Sequence, residues 1–220
     1  MIRLAWAVFQ KDWRSEWRTR AGLNTAILFA VAAPIAMSFN LARQSLSPEA
    51  LAGLLWTILL FAALMGLGRA FIKEEESGTA VLLRLIFPSD AILWGKTFFN
   101  FSLLVLTQLA AIPIFIVLLN ARIEEPLLWI LALLLGDVGL ATASTLLGAI
   151  ASQARARGAL FAGIAIPVLL PLLVAASAVT AAAMSPQSAD SYWPAIQIIV
   201  GYDAAILAAS WMLFDFVWSA

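Results

Sequence analysis

No cysteine and no histidine occur anywhere in the sequence. Their absence excludes disulfides, Cys/His zinc sites, thiol chemistry and acid–base catalysis by imidazole. The usual haem ligands are lost with them, and only Met and Tyr remain as weaker candidates. Charge is also scarce, at 12% of residues against about 25% in an ordinary soluble domain. With 63% hydrophobic residues in 220, no soluble core can hide the apolar surface, so lipid is the solvent for most of the chain. The net charge of zero says nothing of nucleic acid, and there is no basic patch beyond what membrane topology needs.

What is present is a series of six long apolar runs, over residues 21–42, 51–72, 97–119, 126–150, 158–182 and 195–217. Each reaches the ~20 residues that a helix needs to cross ~30 Å of hydrocarbon. The gaps between them divide the charge unequally. Arg3, Lys11, Arg14, Arg18, Arg20, Arg69, Lys73, Arg84, Lys96, Arg155 and Arg157 fall on one side, and only Arg43 and Arg122 on the other. Basic loops stay cytoplasmic, which predicts a multi-pass membrane protein with both termini inside. The first twenty residues carry charge throughout and lack an apolar signal core, so the first run reads as a retained span. The expected organisation is one membrane-embedded domain over 1–220: an interfacial helix at 1–20, spans 1–2 at 21–72, a cytoplasmic segment at 73–96 and spans 3–6 at 97–220. The fold class is all-α and polytopic.

Ile2, Trp6, Phe9, Trp13 and Trp17 recur at helical spacing, with Lys11, Arg14, Ser15 and Arg18 roughly opposite. Such a pattern predicts a helix lying in the membrane interface, either as an anchor or as a lever that a cytoplasmic partner touches. Outer links at 43–50 and 120–125 are short, and 183–194 is longer. Pro167 and Pro171, four residues apart in the fifth run, predict a kinked or partly re-entrant segment. Gly136, Gly139, Ala141, Ala143, Ser144 and Gly148 give the fourth span a small-residue surface for close packing.

The segment at 73–96 carries the strongest functional signal. Glu74, Glu75, Glu76 and Gly78 precede a short apolar helix with Leu82, Leu83, Ile86 and Phe87 on one side. That helix is too small to fold alone, so it lies on the membrane or docks into a partner. Gly78 suits a tight turn, and the three glutamates would stand at the helix start. Gly95-Lys96-Thr97 does not make a phosphate-binding loop, since Asp90 stands where the leading Gly is required. Lys96 reads as the end of the third span. Asp137 and Asp203 lie deep in apolar runs, at depths of ~17–21 Å that match Gln108. Each faces the bundle interior. An Asp137–Gln108 hydrogen bond is one reading, and a proton or cation relay is the other.

These motifs in this order resemble the CcmB family, the membrane subunit of the haem exporter in cytochrome c maturation. The resemblance rests on Arg69-Ala70-Phe71 followed by Glu74-Glu75-Glu76-Ser77-Gly78-Thr79, then Leu85-Ile86-Phe87-Pro88-Ser89 and Lys96. It continues through Leu134-Leu135-Gly136-Asp137-Val138-Gly139, Ala154-Arg155-Ala156-Arg157-Gly158 and Ile166-Pro167-Val168-Leu169-Leu170-Pro171, covering essentially the whole chain. The resemblance implies an ABC-2-type permease-like subunit with no catalysis of its own. It implies a second copy of itself, two copies of a cytoplasmic ATP-binding subunit, a haem-handling membrane subunit and a small membrane subunit. In that family the segment after the second span docks in a groove of the ATPase. ATP would bind the partner, and haem would be ligated by partners. Two uses of ATP are implied: haem passage, or release of a haem-loaded periplasmic chaperone. A proton-coupled secondary transporter using Asp137 and Asp203, or a structural assembly subunit, is the alternative from the residues alone. Against the transporter, the spans carry no clear internal repeat.

Overall fold

The computed structural model describes residues 1–41, 46–67, 69–153, 157–185 and 189–219. Arg43, Arg155 and Pro186 lie outside the described residues, as do the side chains of Arg69 and Arg157. The described residues form nine helices: α1 (Ile2–Thr19), α2 (Ala21–Leu41), α3 (Pro48–Gly66), α4 (Arg69–Glu76), α5 (Ala80–Ile86), α6 (Ser89–Leu119), α7 (Pro126–Ser152), α8 (Arg157–Ala183) and α9 (Ala189–Ser219). Six stretches are long and apolar enough to cross a membrane, with α3 and α4 together covering the second. They coincide with the six apolar runs of the sequence.

The fourth span organises the bundle. α7 packs on α3, α4, α6, α8 and α9. Of its most apolar stretch 72% is buried, against 22% for α9, so α9 keeps most of its surface for lipid or another chain. Small residues make this centrality possible. The Trp56 ring of α3 lies directly over Gly136, where a Cβ would stand 2.0 Å from the ring. Its indole Nε1 donates to Thr180 Oγ1 at 2.9 Å. At Gly139 a Cβ would meet Leu172 of α8 and the Asp203 carboxylate of α9. Close packing of this kind is the main adhesive between helices in lipid, where burial of apolar surface gives little.

The paired prolines do not produce a re-entrant segment. α8 runs as one helix through Pro167 and Pro171 to Ala183. Pro171 removes the donor for the Pro167 carbonyl and crowds the turn beside it. The Tyr202 hydroxyl of α9 donates to the adjacent Val168 carbonyl at 3.2 Å, so a neighbouring span supplies a bond within the disrupted turn. At the far end, the amides of Glu124 and Glu125 both donate to the Ala183 carbonyl at 3.0 Å, which ties the link before α7 to the last turn of α8. The longer outer link is itself mostly helical, since α9 begins at Ala189 and contains Pro194.

α1 reaches the bundle through one face only. Val8 and Asp12, one turn apart, are buried, whereas Ile2, Trp6 and Trp17 are exposed. The aromatic stripe is a stacked ladder, with Trp6–Phe9, Phe9–Trp13 and Trp13–Trp17 centroids 4.8, 5.6 and 5.9 Å apart. Half-exposed aromatics of this sort suit the headgroup level. Arg20 takes a left-handed conformation with φ 53°, and the Glu16 carboxylate accepts the Leu23 amide at 2.8 Å, serving the first turn of α2.

Candidate functional site

The basic end of the bundle has an apolar core of its own. Val8, Phe71, Ala80, Leu83, Ile92, Leu93, Ala149, Phe214 and Trp218 form it, drawn from α1, α4, α5, α6, α7 and α9. Phe71, Phe214 and Trp218 pack as a triangle with centroids 5.6–6.0 Å apart. The segment at 73–96 is therefore not a loop. Helix α4 runs to Glu76, and α6 begins at Ser89, so its seven residues before Lys96 are helical already. At about 1.5 Å per residue, the 31 residues of α6 span about 46 Å and project beyond a ~30 Å hydrocarbon layer. Ser89 Oγ donates to Asp215 Oδ1 at 2.7 Å, which ties the start of α6 to α9.

The turn between α4 and α5 is as the sequence predicts. Gly78 has φ +69°. Its amide donates to the Glu75 carbonyl at 3.3 Å, and the Thr79 amide to the Glu74 carbonyl at 3.0 Å. This paired arrangement closes a helix end with a left-handed residue, which glycine adopts without strain. The placement of the glutamates differs from expectation. Glu74, Glu75 and Glu76 form the last turn of α4, where the macrodipole disfavours negative charge. Cations meet two of them: Arg84 of α5 reaches Glu75 at 3.0 Å, and Glu74 is met by Lys11 and Lys96.

α5 is oriented differently from the sequence reading as well. Leu83 is buried in the core of the basic end, and Phe87 packs against that core. The helix thus has a core to enter after all. Its outward face carries Leu82 and Ile86, as predicted, together with Val81 and Leu85, which the sequence reading passed over. All four are 57–79% exposed. The cause is the helical period: with Ala80 and Leu83 turned inward, positions 81, 82, 85 and 86 lie on the remaining arc.

Three helices meet at a buried charge cluster that sequence reasoning missed. Lys96 of α6 is fully buried and lies 3.2 Å from Asp12 of α1 and 3.0 Å from Glu74 of α4. Its ammonium also stands 4.6 Å from the Phe71 ring centroid. Lys11 pairs with Asp12 at 2.8 Å and with Glu74, so two cations and two carboxylates neutralise one another. Removing one of the buried members, Lys96, Asp12 or Glu74, leaves a buried charge uncompensated, at a cost of about 3–5 kcal/mol. Burial acts to lower the Lys11 pKa, but the charge and hydrogen bonds of Asp12 and Glu74 outweigh it and raise the group above 10.5. A raised pKa on a cation contributes stability that is present below 10.5 and lost only as pH rises through the higher folded-state value. The cluster is accordingly not a neutral-pH switch through Lys11. Gly95 makes it possible: α1 crosses so closely that a Cβ there would stand 2.7 Å from the Ala5 carbonyl and from Val8. The Gly-Lys pair that mimics a phosphate loop is a helix crossing.

The deep polar residues divide between two places. Gln108 Nε2 donates to Asp137 Oδ1 at 2.7 Å, both buried between α6 and α7, as the depth match predicts. Asp203 is also buried but meets α7 at Gly139, two residues and about 200° further round the helix. Asp137 and Asp203 thus face different neighbours. A second polar contact joins α6 to α7 nearer the basic end, where Asn100 Nδ2 donates to Thr145 Oγ1 at 2.9 Å. Nothing in the sequence pairs Asn100 with Thr145, because each run carries several polar residues and nothing marks which of them meet.

Residues 3–217 match the CcmB protein family. Heme exporter protein B of Rhodobacter capsulatus is 26% identical over 170 residues, covering 76% of this chain and 78% of that protein. The family match takes in α1, all six spans and the α4–α5 segment. This multi-pass membrane chain belongs to the CcmB family.

Proposed function

We propose that this chain is the membrane permease subunit of an ATP-driven haem exporter serving cytochrome c maturation in a bacterial inner membrane. Both termini and the α4–α5 segment face the cytoplasm, in keeping with the basic residues gathered at that end. The chain is a non-catalytic subunit: a separate ATP-binding subunit, in two copies, hydrolyses ATP and docks on α5. A second copy of this chain, a haem-handling membrane subunit and a small membrane subunit complete the complex. Haem is ligated by partners, which accords with a sequence that offers neither His nor Cys. The observation that carries the reading is the outward face of α5, where Val81, Leu82, Leu85 and Ile86 stand exposed on a helix whose opposite side is fixed to the bundle. Covering that face removes apolar area worth about 25 cal/mol per Å² before ordering costs.

Leu82→Glu and Ile86→Glu test it. Each places a charge on the outward face without entering the core. The membrane subunit should insert at its normal level, and the ATP-binding subunit should be lost from co-purification in mild detergent. Leu83→Glu should behave differently, lowering the amount of membrane subunit itself, because Leu83 is buried in the chain's own core. Retention of the ATP-binding subunit at normal stoichiometry in both outward variants would leave α5 as an interfacial helix.

A further inference from the structure

Apolar packing would join α1, α4 and α6 as well as ions do, since exchanging buried ion pairs for apolar residues of similar volume is often neutral or stabilising. The cluster is also incompletely satisfied. Lys11 and Lys96 both reach Glu74 Oε1, while Oε2 is buried without a hydrogen-bond partner. What such a cluster fixes is position. Glu74 carries the carbonyl that accepts the Thr79 amide at the start of α5, and Arg84 of α5 is tied to Glu75. Holding Glu74 therefore holds α5. The other side of the cluster, Lys96, sits on the helix that becomes the third span.

We propose that Asp12 and Lys96 are positioning residues that lock α4–α5 to α1 and to the stem of α6. A displacement imposed on the outward face of α5 is then delivered to the third span instead of being absorbed at the Gly78 turn. α1 has a role in this beyond anchoring: it supplies the carboxylate that completes the lock. The inference rests on the reading of α5 as the docking element for an ATP-binding subunit. Neither Asp12 nor Lys96 belongs to the outward face of α5, so binding and transmission are separable.

The test uses the assembled complex of the full chain with its ATP-binding subunit. Asp12→Asn and Lys96→Gln each remove one charge, and Asp12→Glu and Lys96→Arg keep it. Three quantities are read: ATP-binding subunit retained per membrane subunit, ATP hydrolysis, and c-type cytochrome formed per assembled complex. The neutral variants should retain the ATP-binding subunit and hydrolyse ATP. Their cytochrome yield per complex should fall by about fivefold or more, the lower end of ordinary coupling effects. The charge-keeping variants should retain most of the yield. A merely structural role would lower the amount of complex and leave yield per complex unchanged, and that result overturns the proposal. If the unaltered chain retains no ATP-binding subunit, the docking reading has failed on its own account. The lock is then judged by a double-mutant cycle of Asp12→Asn and Lys96→Gln in thermal unfolding, where strict additivity overturns it.

Discussion

Gly136→Ala should sharply reduce the amount of folded protein, although it adds a single methyl group to a helix. The new Cβ would stand 2.0 Å from the Trp56 ring, with two further ring carbons at 2.7 and 2.9 Å. Trp56 is buried, and its ring is held by the bond to Thr180, so it cannot retreat without breaking that contact. Overpacking of a rigid core costs about 1–3 kcal/mol and occasionally more, and here the obstacle is a ring rather than a flexible tip. Gly53→Ala and Gly201→Ala are the controls, since no heavy atom lies within 4 Å of either added Cβ. Membrane yield and the unfolding midpoint in mild detergent should fall for Gly136→Ala alone. A wild-type midpoint for that variant would mean that Trp56 does not lie over α7.

The second large effect is expected at Asp137, where two substitutions should separate. Asp137→Asn keeps the size and an acceptor oxygen for Gln108 Nε2, so assembly and cytochrome formation should remain close to normal. Asp137→Leu strands the Gln108 amide in a buried site, at a cost of about 1–3 kcal/mol for the unmade bond. It also alters the shape of the α6–α7 seam. Assembled complex should fall several-fold on that account, since about 1.4 kcal/mol corresponds to a factor of ten in an equilibrium. Cytochrome yield normalised to assembled complex distinguishes the roles. Loss of function in a normally assembled Asp137→Asn complex would show that the proton on this group matters, and the relay reading would replace the structural one.

Much of the architecture was legible because it follows from local signals. Long apolar runs declare spans. The Trp and Phe positions of α1 repeat at 3.6 residues, and Gly78 stands where a left-handed turn is needed. The Gln108–Asp137 bond was legible for a less obvious reason. Adjacent antiparallel spans fix relative depth by counting, and lipid leaves a buried polar group few other partners. The facing of α5 was not legible. Every residue in 80–86 except Arg84 is apolar, so no polar face marks which side turns outward. The charge cluster was illegible because it joins positions 12, 74 and 96 across three helices, and one sequence contains no pairing information at that range. Glu74 was misplaced because an apolar span and an acidic stretch look like a boundary, whereas α4 runs through all three glutamates to Glu76. The prolines of α8 suggested a kinked or partly re-entrant segment, whereas α8 runs on as one helix with a tyrosine of α9 bonded beside its disrupted turn.

The outward face of α5 is proposed as the place where an ATP-binding protein sits. A photo-cross-linking amino acid placed singly at Leu82, Leu85 and Leu83 in the intact membrane tests this directly. Leu82 and Leu85 are 57% and 79% exposed, and Leu83 is 5% exposed one position away. Probes at Leu82 and Leu85 should capture one ATP-binding protein, while the probe at Leu83 should cross-link only within its own chain. Capture of lipid alone from Leu82 and Leu85, or capture of the ATP-binding protein from Leu83 alone, would contradict that placement.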